Sequence, residues 1–304
     1  MSAASDFSGV MTDDGLQLTV GPVLVRIRSE FPATAEHLAR FYDGHPIKTC
    51  ADAHLDMAVV GGRGLRRWLR PQANLVLNGG RPYLPLPATL AGPMVEWGIN
   101  HYVGRYAHQW VVVHAAVVER DGTAIVMPAE PGAGKSTLCA ALTFAGWRLL
   151  SDEFALVDPA TGMLSPLPRP IALKNASIDV IGRRYPHVVF GPEGYDVDHA
   201  RFVHAKATRE SVERAEELAT PRYIIFPRYA AEQPTTIERL PKAEALMKVA
   251  DQSFNYNYLG VDGYRCLVDL VTRTDCYRLE YSDLDDVLGR LALLTRTAQA
   301  ASHA

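Results

Sequence analysis

No run of this 304-residue chain stays apolar long enough to cross a bilayer, so no membrane partner is expected. Cysteine is scarce. Cys50, Cys139, Cys266 and Cys276 lie far apart with no CxxC pair, which argues for small buried apolar residues rather than a disulfide framework or thiolate cage. Basic blocks are missing too. The 31 Lys and Arg face 34 Asp and Glu, a net charge of -3, whereas a dedicated nucleic-acid binder needs a Lys/Arg-rich face. The opening MSAASDFSGVMTDDG lacks the positive start and apolar run of a secretory signal, so a soluble cytoplasmic protein is expected. Repeats and low-complexity tracts are absent, and the ten histidines show no metal-ligand spacing.

What is present is material for a core. Apolar residues make up 48% of the chain, enough for one large domain or two ordinary ones. Residues 1–12 read as a flexible tail. LQLTVGPVLVRIRSE (16–30) reads as two strands broken at Gly21-Pro22, and PATAEHLARFYDG (32–44) as a short helix opened by proline and closed by glycine. DMAVVGG and NLVLNGGRPYLPLP add strands, and the proline-rich stretch at 81–93 marks a boundary. The segments HLARFYDG and RGLRRWLRPQ offer a surface to a partner, although a solvated helix and a basic turn explain them equally well. Residues 88–106 carry helical periodicity, and 208–220, opened by a threonine, reads as another helix. WVVVHAAVVERDGTAIVMPAE (110–130) is a strand, an Asp121-Gly122 turn and a second strand. RYIIFPRY is a buried strand, and LEYSDLDDVLGRLALLTRTAQAA is a strand end followed by a capped amphipathic helix.

The second strand of that hairpin runs directly into PAEPGAGKSTLCAAL (128–142), a Walker A loop with Ala129 in place of the first glycine. Such a turn lines up backbone N–H groups as a concave anion nest at a helix N-terminus. Glu130, Pro131, Gly132, Ala133, Gly134, Lys135, Ser136 and Thr137 would cradle the phosphates of ATP. Lys135 would reach the β- and γ-phosphates, and the Ser136 hydroxyl would ligate Mg²⁺. Further on, Asp152 and Glu153 interrupt the apolar run WRLLSDEFALVD. Two adjacent carboxylates there are costly if buried without a cation. One can hold the metal and the other can accept a proton from an attacking hydroxyl, unless the strand simply surfaces at SDE. His114, alone in an apolar strand, reads by itself as a packed core residue.

The run VHAAVVERDGTAIVMPAEPGAGKSTLCAALTFAGWRLLSDEFALV resembles the core of the HPr serine kinase family. The chain is more similar still to the HPr-kinase-related kinases, above all the subgroup called HprK-related kinase A. That subgroup shares segments like PRPIALKNASID (168–179) and SFNYNYLGVDGY (253–264). The resemblance covers residues 105–285. It implies an α/β fold of mixed-sheet, phosphoenolpyruvate-carboxykinase-like type, with a P-loop kinase domain at 96–304 and a smaller N-terminal α+β domain at 1–95. It implies ATP and Mg²⁺ as cofactors and transfer of the γ-phosphoryl group to a serine-type hydroxyl of a protein, peptide or metabolite. Asp152 would be the base, Glu153 and Ser136 would face the metal, and His114 would line the γ-phosphate pocket. Arg169 and Lys174 would neutralise the transferring group, and Asn255 and Tyr256 are candidates for adenine contacts. Members of that family often form oligomers, so a homo-oligomer is one expectation.

Departures from the family pattern bear on substrate. Thr137 stands where typical HPr kinases carry an acidic residue, and the acidic pair ends in Glu153 rather than Asp. The carboxy-terminal signature linked to phosphorolysis and to docking of HPr is not recognisable, so HPr itself is a doubtful acceptor. A nucleotide-binding module without turnover, and an ATPase without an acceptor, remain as alternatives.

Overall fold

The computed structural model describes residues 7–48, 52–62, 69, 71–196 and 199–302. Cys50 and most of the basic turn at 63–70 lie outside the described residues. Cys139, Cys266 and Cys276 are buried free thiols.

The amino-terminal third forms one five-stranded sheet. Its strands are β1 (Leu16–Val20), β2 (Val23–Ser29), β3 (Leu55–Gly61), β4 (Gln72–Leu77) and β5 (Leu86–Pro87), paired in that order. Pairing is antiparallel except between β2 and β3. In β1 and β2 every second side chain is buried, as a sheet covered on one face requires. Helix α1 (Pro32–Phe41) fills the β2-to-β3 connection, and α2 (Met94–Tyr106) packs on β3 and β4. That helix runs across the expected boundary at residue 95. The expected tail is ordered from Phe7, because Phe7 and Val10 sit in a 3-10 turn with both side chains in this core.

The rest of the chain is built on a mixed eight-stranded sheet. Strands β6 (Val111–Arg120) and β7 (Thr123–Pro128) form the expected hairpin, with Asp121 and Gly122 both at positive φ as a two-residue primed turn requires. Helix α3 (Lys135–Phe144) follows, then β8 (Arg148–Ser151), β9 (Phe154–Val157) and β10 (Leu164–Ser165). A three-stranded antiparallel sheet holds β11 (Ile171–Lys174), β12 (Gly194–Tyr195) and β13 (Arg201–Ala205), with α4 (Ala176–Arg184) between the first two. Then come α5 (Arg209–Glu213), β14 (Pro221–Tyr229), β15 (Thr236–Arg239), α6 (Lys242–Asp251), α7 (Gly260–Arg273), β16 (Asp275–Tyr281) and α8 (Leu284–Ser302). The large sheet runs β10-β9-β6-β7-β14-β16-β15, with β8 also on β6; β7, β14 and β16 are mutually parallel.

One face of this sheet packs on α3, α4 and α8, the other on α6 and α7. The helix expected over 208–220 stops at Glu213. Beyond it, Ala219 exchanges both backbone hydrogen bonds with Leu164, so sheet pairing overrides local helix propensity. Among the described residues no helix is long and apolar enough to cross a membrane.

Candidate functional site

Between β7 and α3 the backbone stops satisfying itself. The first amides of a helix lack intrahelical acceptors. Those of Gly132, Gly134, Lys135, Ser136 and Thr137 find no acceptor among the described residues, while Ala133 N–H donates to Glu130 O at 3.2 Å. Two parallel strand ends hold the loop from behind. Tyr229 N–H donates to Ala133 O at 2.9 Å, and the Tyr281 hydroxyl donates to Gly134 O at 3.1 Å. A trans peptide points its N–H opposite its C=O, so these bonds turn the Gly134 and Lys135 amides outward. The result is a concave set of donors at a helix N-terminus, suited to an anion.

Gly134 makes this approach feasible. Its φ is +87°, and a Cβ there would stand 2.7 Å from the Tyr281 hydroxyl and 3.0 Å from Tyr229 Cβ. Gly134→Ala should therefore destabilise the chain by about 1–2 kcal/mol from the left-handed backbone alone. A lower urea midpoint at unchanged slope is the expected readout; an unchanged midpoint would mean that the two tyrosines yield freely.

Lys135 leads into α3 with only 8% of its surface exposed. Its Nζ donates to Asp152 O at 3.0 Å and to His114 Nε2 at 3.0 Å, and lies 3.9 Å from Glu153 Oε2. The same His114 nitrogen is 3.3 Å from Glu153 Oε2. One ring nitrogen serves one of them at a time: bare, it accepts from the ammonium; protonated, it donates to the carboxylate. Lys135, His114 and the adjacent pair Asp152 and Glu153, from three separate segments, thus meet at one point.

The acidic pair is positioned by Ser151. Its Oγ accepts the amides of Glu153 at 3.2 Å and Phe154 at 3.0 Å, which breaks the strand between β8 and β9. Both halves still pair with β6, so the two carboxylates occupy the break between them. Asp152 turns inward, 5% exposed. Its Oδ2 accepts the Ala172 amide of β11 at 3.1 Å, and its Oδ1 is buried without a hydrogen-bond partner. Burial and then the neighbouring Glu153 charge push its carboxyl up to about 6, against the pull of Lys135. Burial also pushes Glu153 upward, but the His114 hydrogen bond, the Lys135 charge and the field of Arg169 together hold it well below the usual range.

The other expected cations are placed differently. Arg169 is buried and donates to Glu96 Oε2 at 3.2 Å, to Glu96 O at 3.3 Å and to Asn100 Oδ1. Its field reaches Glu153, but these donors are engaged toward the N-terminal sheet's helix α2. Lys174 is exposed and pairs with Asp196 at 2.7 Å, without contact to the phosphate loop. Asn255 is engaged in structure. Its side chain is buried, accepting from Val112 N–H at 2.9 Å and donating to Trp110 O at 2.8 Å, and it pins its loop to β6. Tyr256 packs half-buried against the core on the α6 and α7 face.

Glu96, Asn100, Tyr229 and Tyr281 were not singled out from the sequence. Glu96 alone carried a signal, a single carboxylate inside the apolar stretch MVEWGINHYV. Ser136 Oγ and the two carboxylates supply hard oxygens of the kind Mg²⁺ takes. Among the described residues no group of three or more His, Cys, Asp or Glu could hold a metal ion by itself. No family model matches the chain, and no curated protein matches it at a significant level.

Proposed function

We propose that this chain is an ATP-dependent phosphotransferase of the HPr kinase-like, P-loop type, moving the γ-phosphoryl group to a hydroxyl. The observation that carries the reading is the meeting of Lys135, His114, Asp152 and Glu153 beside a loop whose outward amides lack acceptors. The antiparallel hairpin that feeds the loop, inside a mixed sheet, supports a phosphoenolpyruvate-carboxykinase-like architecture over a doubly wound parallel one.

Each residue then has a task. The amides of Gly132 and of residues 134–137 receive the phosphates, and Lys135 exchanges the Asp152 carbonyl for phosphate oxygens. Ser136 and Glu153 would hold Mg²⁺, which supplies positive charge against the oxygens of the transferring group. Asp152, with one oxygen fixed by Ala172 and the other unpartnered, takes the hydroxyl proton; a carboxyl shifted toward neutrality suits that task. His114 releases Lys135 as phosphate arrives and holds Glu153 in place.

The test is transfer of label from γ-labelled ATP, with Mg²⁺, into a lysate fraction by wild type and Lys135→Ala. Label should appear with wild type and fall at least about 100-fold in the variant, the scale of losing one transition-state donor. Tight ATP binding by wild type with neither transfer nor phosphate release would leave a nucleotide sensor. Release without any acceptor would leave an ATPase.

A further inference from the structure

Against the His114 side of the phosphate site lies a cleft of about 750 Å³, within the range of small-molecule sites. His114 and Glu153, the two side chains nearest Lys135 Nζ, are part of its lining. A ligand there lies beside the end of the site that Lys135 occupies, where the transferring phosphoryl group belongs.

The walls have a distinct chemistry. Tyr258 is 76% exposed and stacks on His108, with ring centroids 4.6 Å apart and planes 18° from parallel. Phe254 is half exposed and braced edge-on by Phe154 at 5.6 Å. The two exposed aromatic side chains line one cleft rather than standing scattered over the surface, as in a ligand-binding groove. The same lining holds planar hydrogen-bonding groups, His101 and Asn257, and one cation, Arg105. The carboxylate in the lining, Glu153, is engaged by His114 and Lys135. Flat apolar faces edged by neutral donors and acceptors match a ring whose C–H face is apolar and whose rim is hydroxyls. A peptide finds less here. At His114 the strand β6 is already paired with β9, and its amide donates to Gln252 O at 2.8 Å, so no open edge is offered for strand addition.

We propose that this cleft is the acceptor site and that it takes a carbohydrate ring, stacked on Tyr258 and Phe254 with one alcohol toward His114. The inference rests on the phosphotransferase reading for its chemistry. The alcohol oxygen forms a bond to the γ-phosphorus as the bond to the bridging β,γ-oxygen breaks. ADP leaves with that electron pair, and the alcohol proton passes to Asp152.

Gly104 of α2 provides a plug. It lines the cleft, where no phosphate-loop residue does, and the atoms nearest to a Cβ there are those of Phe254, at an ordinary 3.7–3.9 Å, so Gly104→Leu is placed to fill the space beside that ring. The probes are methyl glucopyranoside, mannopyranoside, galactopyranoside and ribofuranoside, followed by saturation-transfer NMR on the full chain with Mg²⁺ and a non-hydrolysable ATP analogue. At least one glycoside should bind wild type. It should bind at least tenfold more weakly to both Gly104→Leu and Tyr258→Ala, with affinity for the nucleotide analogue within twofold of wild type. Tyr258→Ala, at an exposed ring, guards against a misfolded plug. No binding of any glycoside, or equal binding by both variants, overturns the proposal. So does label transfer into a peptide that Gly104→Leu leaves undiminished. The nucleotide titration separates the two readings: a glycoside bound without any nucleotide affinity keeps the carbohydrate cleft but removes its role as an acceptor site.

Discussion

Asp152→Asn is expected to lower phosphoryl transfer by about 10²–10⁴-fold, the usual worth of a positioned general base, while making the unliganded chain more stable. The two effects share one cause. Asp152 is a buried carboxylate beside a second carboxylate, with one oxygen unpartnered, so its ionised form is penalised in the folded state. The amide keeps an oxygen for the Ala172 N–H and removes the charge. Sites shaped for chemistry commonly sacrifice stability in this way.

The sign with pH follows from the direction of the shift. A carboxyl raised in the folded state adds stability below its unfolded value, near 3.8, and that stability is lost as pH rises through about 6. At pH 7–8 wild type therefore bears the full penalty, about 1–3 kcal/mol at roughly 1.4 kcal/mol per unit. Asp152→Asn should be more stable than wild type by that amount in urea titrations at pH 7.5, and the gap should close as pH falls toward 4. A variant less stable than wild type at pH 7.5 would mean that the carboxylate is a structural anchor rather than a strained base.

What the sequence disclosed was what local chemistry decides. The Asp121-Gly122 turn, the glycine loop at a helix start and the break at Asp152-Glu153 depend on neighbours a few residues away, and each stands where its pattern placed it. Arg169 and Asn255 went differently because their partners come from far along the chain. Arg169 bonds across 73 positions to Glu96, and Asn255 across 143 and 145 to Val112 and Trp110. No spacing rule reaches that far. The helix expected over 208–220 fell short for the same reason, its second half being drawn to Leu164. The ordered turn at Phe7–Met11 was hidden by its polar surroundings, since two buried side chains suffice to fix it.

Glu96 is the residue whose removal should cost the fold most. It is 3% exposed and gathers four groups: His37 Nε2 at 2.9 Å from Oε1, the Tyr42 hydroxyl at 2.8 and 2.9 Å from the two oxygens, and Arg169 at 3.2 Å, with His204 close enough for its charge to act. Burial pushes its carboxyl up, but His37 and Arg169 outweigh that and hold it at about 2. Glu96→Ala leaves the Arg169 guanidinium buried and uncompensated, for a loss of about 3–5 kcal/mol. The cluster ties α1 and α2 to the segment that leads into β11, whose Ala172 amide holds Asp152, so the loss should also loosen the base. Acid should act on wild type in two stages. His204, lowered by burial to about 4, is neutral when folded, so the unfolded chain takes up its proton first and the His204 contribution falls as pH drops from 6.5 toward 4, offset in the same range by the relief of Asp152. Glu96, depressed when folded, contributes stability that is present above its ordinary 4.5 and lost as pH falls through that value toward 2. Glu96→Gln, which keeps the shape, should shrink the second stage to the part that Glu153 carries and retain the first. Unfolding curves for wild type and Glu96→Gln that stay parallel from pH 7 to pH 2.5 would show that the buried pairs contribute no net electrostatic stability.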